Sequence, residues 1–501
     1  MIDPFIFFPV ALLVLYFAAL FAILLFIGKK VLKKIHPAIV LTCAAFLFFG
    51  IWAINRYCLP HKLHPLSLAA DSGIVLFTIF LGWFLADFRK KKKILFICAV
   101  IFVLFTASIV YISQKGYQRL EPSPMEMLKS LPYLTWVPAV EDTDKIGVTE
   151  YKQNESYKGL NIFTYDKDST AYLIDMDGRE VHKWSSGPRA WHHVEVYANG
   201  DLLGIVEDKN LVKLDWNSNV EWDNEGRFHH DVAIAENGDI YALSRKDEIV
   251  LYGVLPLPIL DDHILLLSSE GGIKKDISLF KVLKNQIPSV IPSRIYGWIS
   301  RPHILIDMLF TKTDKHFAFE GWFRCPADIF HTNTVEIIAR PIEGICKKGD
   351  LLICVRNFDL IGILDVEKEK LVWKWGPGEL RMPHHPTLLD NGNILIFDNG
   401  WEREYSRIVE LNPVTKEIVW EYKSDPPENF FSMKRGSNQR LPNGNTLITE
   451  SDKGRVFEIT PGGKIVWEFY STEIKDKKRK AIYRMMRITD KEKYPFVGLL
   501  E

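Results

Sequence analysis

One unit recurs through the last two thirds of the chain. An alternating apolar strand runs into an Asn-Gly turn, at Asn199-Gly200, Asn237-Gly238, Asn391-Gly392 and Asn443-Gly444. Such dipeptides between alternating strands are hairpin signals, because they tolerate the positive φ that tight hairpin turns demand. Each unit then closes on a strand that carries tryptophan: Val181–Trp184, Val220–Trp222, Val372–Trp375, Val419–Trp420 and Val466–Trp467. The fullest copies read LPNGNTLITESDKGRVFEITPGGKIVWEF and LDNGNILIFDNG…SRIVELNPVTKEIVWEY. Four strands per unit and a period of roughly 40–50 residues predict a β-propeller. The count is six blades, at 160–190, 191–226, 227–280, 330–378, 379–430 and 431–471.

The first part of the chain has another texture. The mean hydropathy of 0.00 is high for a chain that is 25% charged, so the apolar residues are concentrated somewhere. They lie in four runs, at about 4–28, 38–54, 72–88 and 94–113. Each is near the ~20 residues that cross a hydrocarbon core as a helix. The first run follows Met1-Ile2-Asp3 with neither a basic start nor a small-residue cleavage site, so it is expected to be retained rather than removed as a signal peptide. Lys29, Lys30, Lys33 and Lys34 fill the first loop, and Arg89, Lys90, Lys91, Lys92 and Lys93 the third, against Arg56 and Lys62 in the second. Positive charge stays cytoplasmic, which puts the C-terminal part on the extracytoplasmic side, periplasmic or extracellular. The expected fold class is thus a membrane α-helical region plus an all-β, six-bladed β-propeller. Its parts are 1–115, a Pro-rich linker at 116–159, the propeller at 160–471 and a basic tail at 472–501. The tail is expected to be a helical surface appendage. An aromatic, Pro-rich insertion at about 280–330 reads as a lid or a membrane-contacting flap. With 62 basic and 62 acidic residues the net charge is zero, which gives no argument for nucleic acid. Cys325, Cys346 and Cys354 fall in the soluble part. A Cys346–Cys354 bridge suits an oxidising compartment, but three thiols cannot all pair.

The chemistry-bearing pattern is in the histidines. His192, His230 and His384 each stand seven residues before the Asn of their blade's turn. Equal register in a repeat means equal position, near the start of the strand that faces the central channel. The equivalent residue of the last blade is Gly436, and His331 opens the fourth blade in a comparable place. The pairs His192-His193, His229-His230 and His384-His385 also allow pleat neighbours, one facing in and one out. Arg356 interrupts the apolar run LLICVRNFDLIGILD, where a guanidinium needs an anionic partner. Imidazoles with an arginine suit a tetrahedral anion such as sulfate or phosphate. A three-histidine zinc site is the chemical rival. The adjacent arginine argues against it, so neither a metal nor another cofactor is expected.

At these residues the chain resembles the PAPS-independent arylsulfotransferases, a family of six-bladed propellers. The resemblance covers about 160–471 and rests on FHHDVAIAENGD, the paired aspartates of LPILDDHILLL, HTNTVEII, the strand bearing Arg356, HHPTLLDNGNILIFDNG and NQRLPNGNTLITES. It implies that His384 is the nucleophile of a ping-pong transfer through a sulfohistidine. It also implies that His230 and Arg356 bind the sulfuryl group, and that His331 is acid or base for the phenolic oxygen with Asn333 nearby. His385, the neighbour of the nucleophile, and His229 and His192 join the list as substrate-binding candidates. The implied partners are an aryl sulfate donor, a phenolic or other hydroxyl acceptor, and the lipid bilayer. The retained helices leave room for a lipid-linked or surface-glycan acceptor. Two rivals stand: a non-enzymatic, membrane-tethered propeller that binds a protein or glycan partner, and a different hydrolase or quinoprotein-like oxidoreductase.

Overall fold

A computed structural model describes residues 135–138, 144–187, 191–252, 255–284 and 327–500. No helix among the described residues is long and apolar enough to cross a membrane. The four apolar runs, and the insertion from 285 to 326 read as a lid or flap, lie outside the described residues.

Two short strands come first, β1 (Trp136–Pro138) and β2 (Gly147–Tyr151). Blade one holds β3 (Leu160–Tyr165), β4 (Thr170–Ile174) and β5 (Glu180–Ser185). Blade two holds β6 (Trp191–Val196), β7 (Leu202–Val206), β8 (Asn210–Leu214) and β9 (Val220–Glu225). Blade three holds β10 (Phe228–Ile234), the long hairpin β11 (Ile240–Tyr252) and β12 (Leu255–Leu267), and β13 (Ile273–Ser278), with β14 (Ala327–Asp328) added in parallel to β12. Blade four is β15 (Thr332–Ile337), β16 (Leu351–Val355), β17 (Leu360–Asp365) and β18 (Lys370–Trp375). Blade five is β19 (His384–Leu388), β20 (Ile394–Asp398), β21 (Arg407–Leu411) and β22 (Ile418–Tyr422). Blade six is β23 (Ser437–Arg440), β24 (Thr446–Glu450), β25 (Arg455–Ile459) and β26 (Ile465–Tyr470). Last come β27 (Ile474–Lys475), β28 (Lys478–Lys480) and β29 (Ile482–Ile488).

The tail departs from expectation. It is not a helical appendage: β29 pairs with β3 and becomes the innermost strand of blade one, giving the order β29-β3-β4-β5. Its sequence IYRMMRI buries nearly every residue, as a strand between neighbouring blades must. Three of the tail's basic residues are turned inward, Arg479, Arg484 and Arg487, while lysines such as Lys475 and Lys477 stay exposed. The linker is not bare chain either. The β2 strand adds to β26 as a fifth strand of blade six, and β1 pairs with β28. The six inner strands then form a ring. Adjacent pairs are in contact from β6 through β10, β15, β19 and β23 to β29, which touches β6 again. This is an all-β, propeller-like fold.

A repeated hydrogen bond joins the blades. In each, a side chain on the fourth strand donates to the backbone carbonyl at the last turn of the next blade. The indole Nε1 of Trp222 reaches Ser269 O at 3.1 Å, Trp373 reaches Pro413 O at 2.9 Å, Trp420 reaches Pro461 O at 3.0 Å and Trp467 reaches Met176 O at 2.9 Å. Where tryptophan is replaced, another donor takes the place. Lys275 Nζ bonds Val366 O at 2.6 Å, and His182 Nε2 bonds Trp216 O at 2.9 Å while its ring stacks on that indole at 3.6 Å. The conserved spacing of tryptophans along the sequence therefore records a latch at the joints.

Trp467 is fully buried and joins the last blade to the first. Trp467→Phe keeps much of the apolar surface and removes the donor, leaving the Met176 carbonyl unmatched. An unsatisfied buried group costs about 1–3 kcal/mol. Chemical denaturation should show a loss of that order, larger than for Trp420→Phe, whose indole is partly exposed to water.

Candidate active site

The starts of the inner strands are bulged. The ladder skips between Trp191 and Val194, between Phe228 and Val232, between Thr332 and Thr334, and between His384 and Thr387. A bulge re-aims side chains and often marks a functional rim. His230, His331 and His385 take φ of 57°, 50° and 44°, a left-handed backbone uncommon for such residues. Around these bulges lies a cavity of about 310 Å³, and every blade contributes to its wall. Blade one supplies Asp166, Lys167, Tyr483 and Arg484; blade two supplies His192, Glu207 and Asp208; blade three supplies His230, Arg245 and Asp328. His331 and Asn333 come from blade four, His384 from blade five, and Lys434, Arg435 and Gly436 from the approach to blade six.

His384 is held in one protonation state. Its Nδ1 faces two oxygens, Asn399 Oδ1 at 2.7 Å and Met382 O at 3.1 Å. Asn399 cannot turn its amide around, because its Nδ2 donates to Ser432 O at 2.6 Å and Arg435 O at 2.8 Å. With only acceptors before it, Nδ1 carries the proton, and the Nε2 lone pair is left for the cavity. Burial, then the nearby Arg356 charge, push the imidazole well below its ordinary value of 6.5. His384 is therefore a neutral base or nucleophile well into the acid range. The strand start is anchored beside it: Asn333 Nδ2 and the Cys354 thiol both donate to Pro383 O, at 2.9 and 3.1 Å.

The other rings crowd together. His230 packs edge-on against His331 at 4.7 Å and lies 5.4 Å from His192. Its imidazole is held well below the usual range by burial, then by His331 and the other rings. His331 donates from Nδ1 to Asp328 Oδ2 at 2.5 Å, a contact that fixes its tautomer. Burial lowers its pKa and outweighs the opposing pull of Asp328. His192 accepts the His230 backbone N–H at Nδ1, 3.3 Å away, so its Nε2 carries the proton and meets Glu207 Oε1 at 3.1 Å. Tyr483 stacks on His192 at 5.1 Å and donates to His230 O at 3.3 Å. Behind the wall, His229 Nδ1 bonds His230 Nδ1 at 2.8 Å, and its Nε2 stands 3.5 Å from Asp262 Oδ1.

Arg356 sits differently from its expected place. It is not inside a strand but opens a 3-10 turn, Arg356–Phe358, directly after β16. It is buried, its Nε has no hydrogen-bond partner among the described residues, and its Nη1 reaches only Asn357 Oδ1 at 3.4 Å. Its charge acts on His384, His331 and Lys434, although it does not form part of the cavity wall itself. The mouth is rich in paired charge. Arg435 meets Asp166 at 3.3 Å, Arg245 meets Asp208 at 3.6 Å, and Arg484 meets Asp231 at 2.8 Å.

Of the residues read from sequence, His192, His230, His331, Asn333 and His384 meet in one cavity, and Arg356 acts from behind it. His229 and His385 do not line the wall. His385 Nδ1 turns to the backbone of Asn438 at 2.9 Å. Sequence reading missed Tyr483 and Arg484, because the tail was taken for an appendage. It also missed Asn399, which lies in the quoted FDNG run, and whose signal was an amide that Asp398 alone separates from the apolar run Ile394–Phe397. Asp328, which orients His331, stands three residues before it. Cys346 and Cys354 are both free thiols.

Residues 225–472, just under half of the chain, match the family model described as Arylsulfotransferase (ASST). The match takes in His229 through Gly436 and stops short of Tyr483. No curated protein matches the chain. Among solved structures, a protein of unknown function from Bacteroides caccae is 13% identical, with 66% of this chain and 100% of that one covered and a TM-score of 0.43. A streptogramin B lyase is 14% identical, with 68% and 88% covered and a TM-score of 0.38. Virginiamycin B lyase from Staphylococcus aureus is 11% identical, with 68% and 88% covered and a TM-score of 0.37. Likeness at that level carries nothing about the site.

The locked tautomer is open to measurement. Ring 1H–15N NMR should show His384 as the Nδ1–H form, titrating below 6.5. In Asn399→Leu the ring should lose that preference and the cavity should persist. An Nε2–H tautomer in the wild type, or a midpoint at 6.5 or above, would contradict the assignment.

Proposed function

We propose that this protein is a PAPS-independent, arylsulfotransferase-like transferase that moves a sulfuryl group from an aryl sulfate ester to a phenolic or other hydroxyl acceptor. The observation that carries the reading is the state of His384: a neutral imidazole with Nδ1–H tied to Asn399 and Nε2 free. The match of residues 225–472 to the arylsulfotransferase family supports it.

The reaction divides into two in-line displacements. In the first, His384 Nε2 forms an N–S bond to the sulfuryl sulfur as the S–O bond to the aryl group breaks. The phenolate leaves with a proton from His331. In the second, His331 takes the proton of the acceptor hydroxyl, whose oxygen forms a new S–O bond as the N–S bond of the sulfohistidine breaks. The neutral His331, with Nδ1 on Asp328, suits the second step. The approach of an anionic sulfate ester favours its protonated form and so suits the first. His230 and Asn333 serve the sulfuryl oxygens as donors, with His192 holding the His230 backbone, while Arg356 acts on them through its charge from behind the wall. Charge spread on those oxygens is stabilised by preorganised donors in a water-poor site, and one such donor is worth about 10²–10³ in rate.

The four apolar runs and their flanking lysines support an integral membrane protein with the propeller on the extracytoplasmic side, where a donor other than PAPS is the practical one. No resident metal or cofactor enters the scheme.

Incubation of the full chain with an aryl sulfate and no acceptor should add the mass of one SO3 to the peptide bearing His384, with release of one equivalent of phenol. His384→Ala should abolish both. Arg356→Met and His230→Ala should each slow the burst by about 10²–10³-fold. The burst rate should not fall as the pH drops through 6.5, because His384 is lowered from that value and the first step draws on protonated His331. If His384→Ala releases phenol as the wild type does, the protein is not this enzyme, and the tethered binding propeller becomes the better reading.

A further inference from the structure

Blade three carries a second polar cluster, separate from the cavity. Opposed residues of a ladder share a face, as do residues two apart. Lys246 pairs with Asp261, Glu248 with Ile259, His263 with Ser278 and Leu265 with Asp276. Glu248, Asp261, His263, Asp276 and Ser278 therefore stand together on one face. Arg245 and Asp262, which belong to the catalytic side, stand on the other.

Within the cluster, one ligand atom from each of Glu248, Asp261 and His263 lies within 4.8 Å of the others. Asp261 is fully buried, and His263 is only 4% exposed. His263 gives Nδ1–H to Asp276 Oδ1 at 2.5 Å, which leaves the Nε2 lone pair facing inward. That Nε2 has no hydrogen-bond partner, although Asp261 Oδ2 is 3.3 Å away. Two donors bound at about 2.1 Å to one tetrahedral ion stand roughly 3.4 Å apart. The surroundings resemble the outer shell of a metal site, where a ligating histidine passes its other N–H to a carboxylate and ligating carboxylates are themselves hydrogen-bonded. Asp276 does the first. For the second, Ser278 Oγ and Phe280 N donate to the two oxygens of Asp261, at 2.5 and 2.9 Å.

Charge points the same way. Three carboxylates meet one cation, Lys246, which is bonded to Asp276. Before His263 is counted, the carboxylates exceed the ammonium by two negative charges, and burying such charge without a partner is costly. A divalent ion cancels both.

We propose that Glu248, Asp261 and His263 bind a divalent transition-metal ion of the zinc class, with water at the remaining position. One nitrogen and two carboxylate oxygens form a donor set that suits Zn2+ or Mn2+. The site is structural rather than catalytic. It braces the long β11–β12 hairpin behind the residues that present His331: Leu260 pairs with Asp328 in β14, and Asp262 Oδ2 accepts the Thr332 N–H at 2.6 Å.

The test uses the full chain in detergent, with any affinity tag removed. After chelator treatment and dialysis, it is titrated with ZnSO4 or MnCl2 while bound metal and thermal midpoint are measured. The wild type should take up about one equivalent with a rise in midpoint. Asp276→Asn should weaken binding by about 10–100-fold. Glu248→Gln, at a half-buried position that spares the fold, and His263→Gln should lose the equivalent, and Glu248→Gln should match the metal-free wild type in midpoint. His230→Ala should bind metal as the wild type does, which separates this site from the histidines of the cavity. No uptake by the wild type overturns the proposal. So does uptake retained in Glu248→Gln or lost in His230→Ala. None of these readouts involves an aryl sulfate, so sulfuryl transfer at His384 stands or falls separately.

Discussion

The structure depends on the bond that each blade makes to the next. A β-sheet with two apolar faces has to be covered on both sides, and in a propeller only the neighbouring blades can do this. Apolar burial presses the blades together without direction. The donor on each fourth strand gives the contact a direction, because it must meet a carbonyl at the last turn of the following blade. The chemistry at the joint varies while the geometry is kept: four indoles, one ammonium and one imidazole. What persists is an N–H carried on the same strand to the same turn.

Ring closure has a consequence for chemistry. Six inner strands start around one mouth, so side chains remote in sequence are forced into a small volume. Burial disfavours protonation of the crowded imidazoles, and nearby arginines and neighbouring imidazoles add to this. His229, His230, His384 and His385 all sit well below the ordinary value for those reasons. Two of them are kept for the cavity and two are turned away from it. A bulge lies at each pair, and the positive φ falls on the cavity residue at His230 but on the residue turned away at His385.

Much of this was legible from the chain. Turn dipeptides and tryptophan strands marked the repeat, and counting back from the turns singled out His192, His230 and His384. Local periodicity could not reveal how the ring closes. The IYRMMRI segment carries two arginines, and charge read alone suggested a solvated helix. In the fold these arginines are buried because partners reach them from other strands: Asp231 of blade three for Arg484, and Glu458 of blade six with Asn161 of the neighbouring β3 for Arg487. These pairings span from 29 to 326 residues and leave no local trace. Asn399 was hidden for the opposite reason. It lay in plain view within FDNG, but its purpose appears only when Ser432 and Arg435 fix its amide.

Arg356 links the resting site to the proposed reaction. A buried guanidinium that lacks a carboxylate is unfavourable in the empty protein. Its field adds to the burial that makes the imidazolium form of His384 costly, and so helps to keep the proposed nucleophile deprotonated. When a sulfate ester enters, its oxygens supply the missing anion, and the guanidinium then favours the bound group. During transfer negative charge moves from the sulfuryl oxygens toward the leaving phenolate, and His331, oriented by Asp328, stands ready to meet it with a proton. Lysine in place of His384 would be protonated at neutral pH and repelled by Arg356. An aspartate there would be attracted by Arg356 but would repel the incoming sulfate. For the proposed transfer, a neutral imidazole locked at Nδ1 satisfies both demands at once.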